Sequence, residues 1–370
     1  MKRLSILGTR GIPAKHGGFE TFAEHLALHL VSRGWDVTVY CQDEDVEHQT
    51  EELWRGVRLV KVPSYSSGAW GTVIFDWISS QHAASRGGTI LTLGYNTAAF
   101  CLFYRFRGVT NLINMDGLEW QRDKWSKMQR AWLYLNERLG CLLGNHLIAD
   151  HPEIEAHLLT RVPSDKITMI PYGAHPVNQA EISLIKPFGL NAGGYALVIA
   201  RPEPENSLLE IVQSFSRKRR GYPLVVLGAY QPDKNSYHQE VIAAASDEVK
   251  FIGAIYDHPV VEALRFHARA YIHGHTVGGT NPSLVESLAT GTPILAHDNR
   301  FNRWVAGDAA YYFRDELECE TRFDQLLDNA EELERLGHAS RHRGLELFTW
   351  ELVLTQYEAL LERFSDASTT

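Results

Sequence analysis

Cysteine is scarce and scattered. The four in 370 residues (Cys41, Cys101, Cys141 and Cys319) share no metal-ligand spacing and form no paired framework. That excludes a disulfide-stapled scaffold and suggests reduced thiols in a cytosolic protein. Long apolar runs are missing as well. Gly87–Tyr104 is uncharged for as long as a minimal span, but Gly94, Asn96 and several threonines divide it into strand, loop and helix, a core segment. Met1–Leu7 is basic and then briefly apolar, and Gly8-Thr9-Arg10 ends it too early for a signal peptide. Positive charge is in deficit: a net charge of −9 argues against a nucleic-acid binder. Neither repeats nor low-complexity tracts occur, and only Asp366–Thr370 reads as disordered.

What is present is alternation. The length suits two α/β domains, each with a full core. Apolar runs at Arg3–Leu7, Asp36–Tyr40, Val57–Val62, Thr89–Leu93, Asn111–Met115, His146–Ala149 and Lys166–Ile170 read as strands separated by helical segments. This pattern predicts right-handed β–α–β units and a parallel sheet. Pro171–Gly194, with three prolines and four glycines, reads as a linker. The alternation then restarts at Tyr195–Ala200, Leu224–Leu227, Val249–Ile252, Ala270–Ile272, Pro293–Ala296 and Ala309–Tyr312, predicting a second doubly wound domain.

The most informative stretch is His273–Asn299, HGHTVGGTNPSLVESLATGTPILAHDN. A strand runs into a Gly-Gly-Thr-Asn-Pro loop, then a short helix bearing Glu286, then another strand. Pro282 suits the first helical turn, where its missing N–H costs nothing. The free N–H groups of that turn, together with Gly278 and Gly279, can approach an anion closely. Glu286, one turn deeper, is placed to receive hydroxyl groups. These parts together describe a sugar-nucleotide site, with an ordinary strand–helix joint and a surface glutamate as the alternative.

Other candidates lie after strands, where ligands bind in such folds. GTRGIPAKHGGFETF follows the first strand; it is not the G-x-G-x-x-G dinucleotide pattern, but Arg10, Lys15, Gly17 and Gly18 could hold an anion. Gly94-Tyr95-Asn96 and Asp116-Gly117-Leu118-Glu119-Trp120 end two further strands, and Asp116 could equally be a turn residue before Gly117. Arg201, in ARPEPENSLLEIVQSF, is placed to clamp a diphosphate, unless it is a surface residue paired with Glu203 or Glu205. Asp43-Glu44-Asp45 and the pair His273/His275 are weaker metal candidates. Lys124–Leu143 reads as a helix with Trp125, Met128, Trp132, Leu135 and Leu139 on a stripe expected to be core. Its basic flank (Lys124, Lys127, Arg130, Arg138) also suits contact with a membrane.

These residues resemble a family. The two α/β domains, the Gly17-Gly18 loop, Ile170-Pro171-Tyr172-Gly173, Arg201 and the Asn281–Glu286 helix start are similar to a GT-B glycosyltransferase of family 4. GTRGIPAKHGGFETF, DGLEWQRDKW, ARPEPEN and HTVGGTNPSLVESLA resemble bacterial polysaccharide rhamnosyltransferases. The resemblance implies two Rossmann-like domains facing a cleft. The acceptor-side domain spans residues 1–175 and the nucleotide-sugar domain 176–348, and a crossover helix and tail at 349–370 pack back on the first domain.

The implied reaction is retaining transfer of a sugar, L-rhamnose from dTDP-L-rhamnose, without metal or other cofactor. The implied acceptor is a polyprenyl-diphosphate-linked saccharide at the inner face of the plasma membrane. Carried over by position, Glu286 would bind the nucleotide's ribose or deoxyribose hydroxyl. Arg201 and the N–H groups of Asn281 and Ser283 would stabilise the leaving diphosphate, with Gly17, Gly18, Gly279 and Thr280 around it. Tyr95, Asp116 and Glu119 would lie on the acceptor side, Asp116 and Arg201 being the catalytic candidates. Two departures stand out: the first glutamate of the family's E-x7-E is Gly278, and the lysine expected near Arg201 is replaced by Glu205. A GT-B epimerase and a non-catalytic nucleotide-sugar-binding subunit are the competing readings.

Overall fold

Short runs of Val, Ile and Leu set two sheets. In the computed structural model, which describes residues 2–15, 17–64, 68–122 and 124–366, the chain divides into two units. One comprises Met1–Pro171 with Trp350–Thr370, the other Tyr172–Thr349. His16 and Asp123 of the motifs above, and the tail at 367–370, lie outside the described residues.

The first unit holds β1 (Arg3–Leu7), β2 (Asp36–Asp43), β3 (Thr50–Trp54), β4 (Val57–Pro63), β5 (Thr89–Leu93), β6 (Asn111–Asn114), β7 (His146–Ala149) and β8 (Ile167–Met169). Their spatial order is β3-β4-β2-β1-β5-β6-β7-β8. Every neighbouring pair is parallel except β3–β4. The sequence carries no sign of β3, because TEELW is a polar, exposed edge strand without an apolar face. Its hairpin turns through Arg55 (φ 48°) and Gly56 (φ 87°), the two left-handed positions a tight hairpin requires.

Helix α1 (Gly18–Ser32) follows β1 and buries Phe22, Leu26 and Leu30. Helix α2 (Ala69–Arg86) precedes β5, and α3 (Leu102–Phe106) precedes β6. Helix α4 (Lys127–Leu143) begins three residues later than expected, because Ser126 and Gln129 form a reciprocal capping box.

The stripe expected to be core on α4 is instead exposed: Met128 is 82% and Leu135 52% accessible, and Trp132 is half-exposed. The buried face is Leu133, Asn136, Glu137, Gly140, Cys141 and Leu143. Glu137 can sit there because its carboxylate accepts from Trp120 Nε1 and from His157 Nε2 and Arg161 Nε, the last two at 3.1 Å. These donors hold its pKa below the ordinary range despite burial.

The closing helix, Trp350–Asp366, packs on the first unit through Trp350, Val353, Tyr357, Leu360 and Leu361. The Tyr357 ring lies tilted against Phe22, with centroids 4.6 Å apart, and its hydroxyl accepts from Asn114 Nδ2 at 2.9 Å. Glu358 meets His29 and Glu362 meets Lys2, at 2.8 and 2.7 Å.

The second unit has six strands, β9 (Ala196–Ile199), β10 (Leu224–Leu227), β11 (Val249–Gly253), β12 (Ala270–His273), β13 (Ile294–His297) and β14 (Ala310–Phe313). They run parallel in the order β11-β10-β9-β12-β13-β14. Successive residues feed two cores, Leu197, Val225 and Tyr271 on one face and Val198, Val226 and Ile272 on the other. Burial on both faces explains why these strands read as continuous apolar runs. The stretch expected to be a linker is corrected in part. Val177, Ile185 and Leu190 are buried, and the Val177 N–H donates to Ala289 O at 3.1 Å, so these apolar residues fasten it to the second unit. Among the described residues no helix is long and apolar enough to cross a membrane.

Candidate functional site

Open parallel sheets bind ligands outside the carboxyl ends of their strands, where the strand order reverses. In the second unit that point lies between β9 and β12. The loops leaving these strands are ARPEPEN and HTVGGTN, the two segments the sequence singles out. They are fastened together: the N–H and the hydroxyl of Thr276 both donate to Glu205 O at 2.9 Å. Gly274 allows the approach, since a Cβ there would lie 2.1 Å from Asn206 O. Asn206 Nδ2 donates to Arg201 O at 2.8 Å, and the Arg201 side chain is exposed. Glu205, which replaces the expected lysine, thus contributes its carbonyl to the joint between the loops.

Beyond this joint Asn281 caps the helix Pro282–Ala289. Its Oδ1 accepts the Ser283 N–H at 3.0 Å. The expected use of the Ser283 N–H as an anion donor is therefore corrected: the cap already occupies it. Gly278 (φ 135°) has open space where a Cβ would sit, so backbone conformation, not crowding, disfavours a side chain there. Gly279 is half-buried and Thr280 buried.

Glu286 is tied to a residue the sequence reading missed. Arg265 Nη2 lies 2.6 Å from Glu286 Oε2 and donates to Ser283 Oγ at 3.1 Å. Ser283 Oγ meets the Tyr271 hydroxyl at 2.8 Å, and that hydroxyl meets His273 Nδ1 at 3.2 Å. Burial pushes the Tyr271 pKa up to about 12 and drives that of His273 well below its ordinary value, His275 and His297 adding to the second shift. A neutral imidazole and a protonated phenol therefore back the helix. The one signal for Arg265 is an arginine adjoining the apolar Val261–Leu264 pattern, a position that demands a buried partner.

The zinc reading of His273 and His275 is corrected. Their rings stack face to face at 4.4 Å and 10°, which leaves the in-plane lone pairs parallel instead of converging on an ion. Asp43 accepts from the Asp45 N–H at 2.9 Å and pairs with Lys61 at 3.3 Å, the contacts of a turn residue. Among the described residues no group of three or more His, Cys, Asp or Glu is placed to hold a metal.

In the first unit the order reverses between β1 and β5. Gly17 (φ 76°) precedes α1 and Gly18 opens it. The loop before them is shaped by its own helix. Glu20 Oε1 accepts the Arg10 N–H at 3.1 Å, and Glu24 Oε2 accepts the Ala14 N–H at 2.7 Å. Arg10 and Lys15 are exposed.

Tyr95, expected to face an acceptor, is buried. Its hydroxyl donates to Gly117 O at 3.1 Å and accepts the Glu119 N–H at 2.8 Å, so it braces the 116–119 turn. Glu119 is likewise engaged, by Arg122, by Trp125 Nε1 at 3.3 Å and by Lys124 at 3.8 Å. Both are supporting residues here, because their polar atoms are spent within the loop. Asp116 is half-buried at φ 52°, and its N–H donates to Asn114 Oδ1 at 3.0 Å. Burial, then the charge of Glu119, raises its pKa to about 6. Its backbone makes it a turn residue, and its surroundings hold the carboxyl toward the protonated form.

Comparison with known proteins agrees with this anatomy. Residues 191–343 match the family described as glycosyl transferases group 1, and residues 1–175 match a domain of unknown function, DUF1972. One curated relative, the MMP alpha-(1->4)-mannosyltransferase of Mycolicibacterium hassiacum, is 36% identical over 84 residues, covering 21% of this chain and 20% of its own. The chain thus spans about a fifth of that relative's length.

Among solved structures, sucrose-phosphate synthase from Thermosynechococcus elongatus superposes with a TM-score of 0.82 at 16% identity, covering 99% of this chain and 100% of its own. Anabaena HepE, solved with UDP and glucose, gives 0.76 at 12% identity over 98% and 100%. The UDP-forming trehalose-phosphate synthase of Burkholderia vietnamiensis gives 0.73 at 10% over 98% and 100%. The chain therefore has the two-domain GT-B fold of glycosyltransferases, and its residues 191–343 match the glycosyl transferases group 1 model.

Proposed function

We propose that the protein is a retaining glycosyltransferase that moves L-rhamnose from dTDP-L-rhamnose onto a polyprenyl-diphosphate-linked saccharide at the inner face of the plasma membrane. The observation that carries the reading is the joint between the β9 and β12 loops, which fixes Arg201 and the Asn281-capped helix at the strand-order reversal. Arg201 and the N–H groups of Gly279 and Asn281 are the donors assigned to the diphosphate. The Glu286–Arg265 pair leaves Glu286 Oε1 for a hydroxyl of the nucleotide's pentose.

Chemically, the bond between the sugar's anomeric carbon and the diphosphate oxygen breaks as charge grows on that oxygen. Fixed cations and N–H dipoles stabilise this charge more than they stabilise the bound donor, and that difference accelerates the step. The acceptor hydroxyl attacks the same face, and its proton passes to the departing phosphate oxygen, so a separate protein base is not required. Asp116, with its raised pKa, is the carboxyl offered to the acceptor. No metal is part of the proposal, and activity should persist in chelator.

Gly278 supports a 6-deoxy sugar, since it removes a carboxylate that would need a sugar hydroxyl as partner. A mannosyl donor is the second reading, favoured by the 84-residue match to a mannosyltransferase. Donor competition separates the two. Rhamnose transfer should exceed transfer from a guanosine or uridine diphosphate hexose, and the reverse order would overturn the donor assignment.

A further inference from the structure

Most of the exposed large apolar side chains of the first unit lie on three helices that are joined by mutual contacts. Helix α2, the turn Ala98–Cys101, α3 and α4 pack side by side. They present Trp70 (74% exposed) and Trp77 from α2, Phe106 (79%) from α3, and Met128, Trp132 and Leu135 from α4. On α4 these residues recur at spacings of four and three, with Leu139 and Leu142 continuing the row, so they line one side of the helix, away from its buried face. Monomeric proteins rarely leave so many large apolar groups together in water.

The charge of this surface is opposite to that of the chain. Residues 69–86, 98–107 and 127–143 carry six basic side chains against two acidic ones, in a protein of net charge −9. Both acids are turned to internal partners: Asp76 accepts from the Thr97 hydroxyl at 2.7 Å, and Glu137 is buried among Trp120, His157 and Arg161. Arg105, Arg107, Lys127 and Arg138 are exposed beside the apolar groups. The surface also joins the loops of the first unit's candidate site, since Trp132 Nε1 donates to Asn96 O at 2.9 Å.

We propose that the α2–α3–α4 surface docks on an anionic lipid bilayer, with Trp70, Phe106, Met128 and Leu135 entering the headgroup–acyl boundary and the basic residues meeting lipid phosphates. Aromatic rings with polar edges favour that boundary, and basic side chains add electrostatic attraction to anionic headgroups. Two copies docked through this same surface would set basic rim against basic rim, whereas an anionic membrane complements it. The inference rests on the lipid-linked acceptor proposed above, and names the surface that brings the Asn96 and Asp116 loops to it.

Co-sedimentation of the full chain tests this, using vesicles of equimolar phosphatidylglycerol and phosphatidylcholine beside vesicles of phosphatidylcholine alone. The protein should prefer the anionic vesicles. The triple variant Trp70→Ser, Phe106→Ser, Met128→Gln should lose at least about tenfold in affinity, because burial of large apolar side chains is withdrawn. Arg105→Gln, Lys127→Gln, Arg138→Gln should erase the preference for anionic lipid. Absence of wild-type binding, or binding indifferent to both variants, overturns the proposal. Self-association in lipid-free solution that the apolar variant abolishes overturns it in favour of a dimer. Calorimetry with dTDP reads the sugar-nucleotide site separately. Absence of dTDP binding in the wild type would undo the dTDP-L-rhamnose donor reading while leaving the vesicle result to stand.

Discussion

Glu286 has two demands on it, and a single substitution separates them. Its Oε2 pairs with Arg265 at 2.6 Å, while Oε1 is assigned to the pentose hydroxyl. Arg265 is buried, whereas the Glu286 side chain is 32% exposed, so solvent screens the pair from one side. Breaking a fully buried pair costs about 3–5 kcal/mol; partial exposure brings the expectation for Glu286→Gln down to about 1–2 kcal/mol. Gln keeps a neutral acceptor toward Arg265 and Ser283 holds its second contact, so the fold should survive. Loss of a charge-assisted hydrogen bond to the pentose should cost a further 1.5–3 kcal/mol or so of ligand affinity, about ten- to a hundredfold in Kd. Urea unfolding reads the first quantity and calorimetry with dTDP the second. A variant that loses stability but binds dTDP as wild type would refute the pentose role and leave Glu286 as the counter-ion of Arg265.

Arg201→Ala should lower turnover more than it weakens dTDP binding, and Arg201→Lys should rescue it poorly because bidentate geometry is lost; wild-type turnover in either variant would remove Arg201 from the mechanism. Asp116→Asn should depress transfer, spare dTDP binding and stabilise the protein. The folded-state pKa of about 6 lies above the ordinary value, so the carboxyl favours the fold when protonated and loses that contribution as pH rises through 6. Denaturation at neutral pH should show a gain of about 1–3 kcal/mol for the variant, and a loss would contradict this. His146, which meets Thr168 Oγ1 at 2.8 Å, titrates near 4 because burial and then the charges of Arg363 and Lys166 disfavour its cation. Its contribution is complete above the ordinary histidine pKa and falls away as pH drops toward 4, so His146→Gln should flatten the pH dependence of unfolding in that window.

Strand positions were legible because both sheets bury both faces: β1, β5, β7 and β10 occupy the expected ranges, and other apolar strands differ by a few residues at their ends. The edge strand β3 was not, since its residues are polar and only its partner defines it. Helix α4 shows the opposite failure. Periodicity identified an apolar stripe and could not say which side it faced, because the inward side is held by the polar contacts of Glu137 and Asn136. In the same way the motif loops were readable from glycine and proline placement, while Arg265 and Tyr271, which lie in apolar helix and strand, carry their role only through contacts made on folding. Tyr95 lies in the expected loop but plays a different part there. Its spacing after β5 marked its place, and burial turned its hydroxyl inward to brace the neighbouring turn.

The most direct test of the central claim is incubation of the purified protein with a panel of nucleotide sugars and a bacterial membrane lipid extract, followed by mass analysis of the glycolipids. The account predicts a polyprenyl-linked saccharide heavier by one deoxyhexose, formed only with dTDP-L-rhamnose and accompanied by release of dTDP. Consumption of the donor without any glycolipid product, or an isomerised nucleotide sugar in its place, would contradict it.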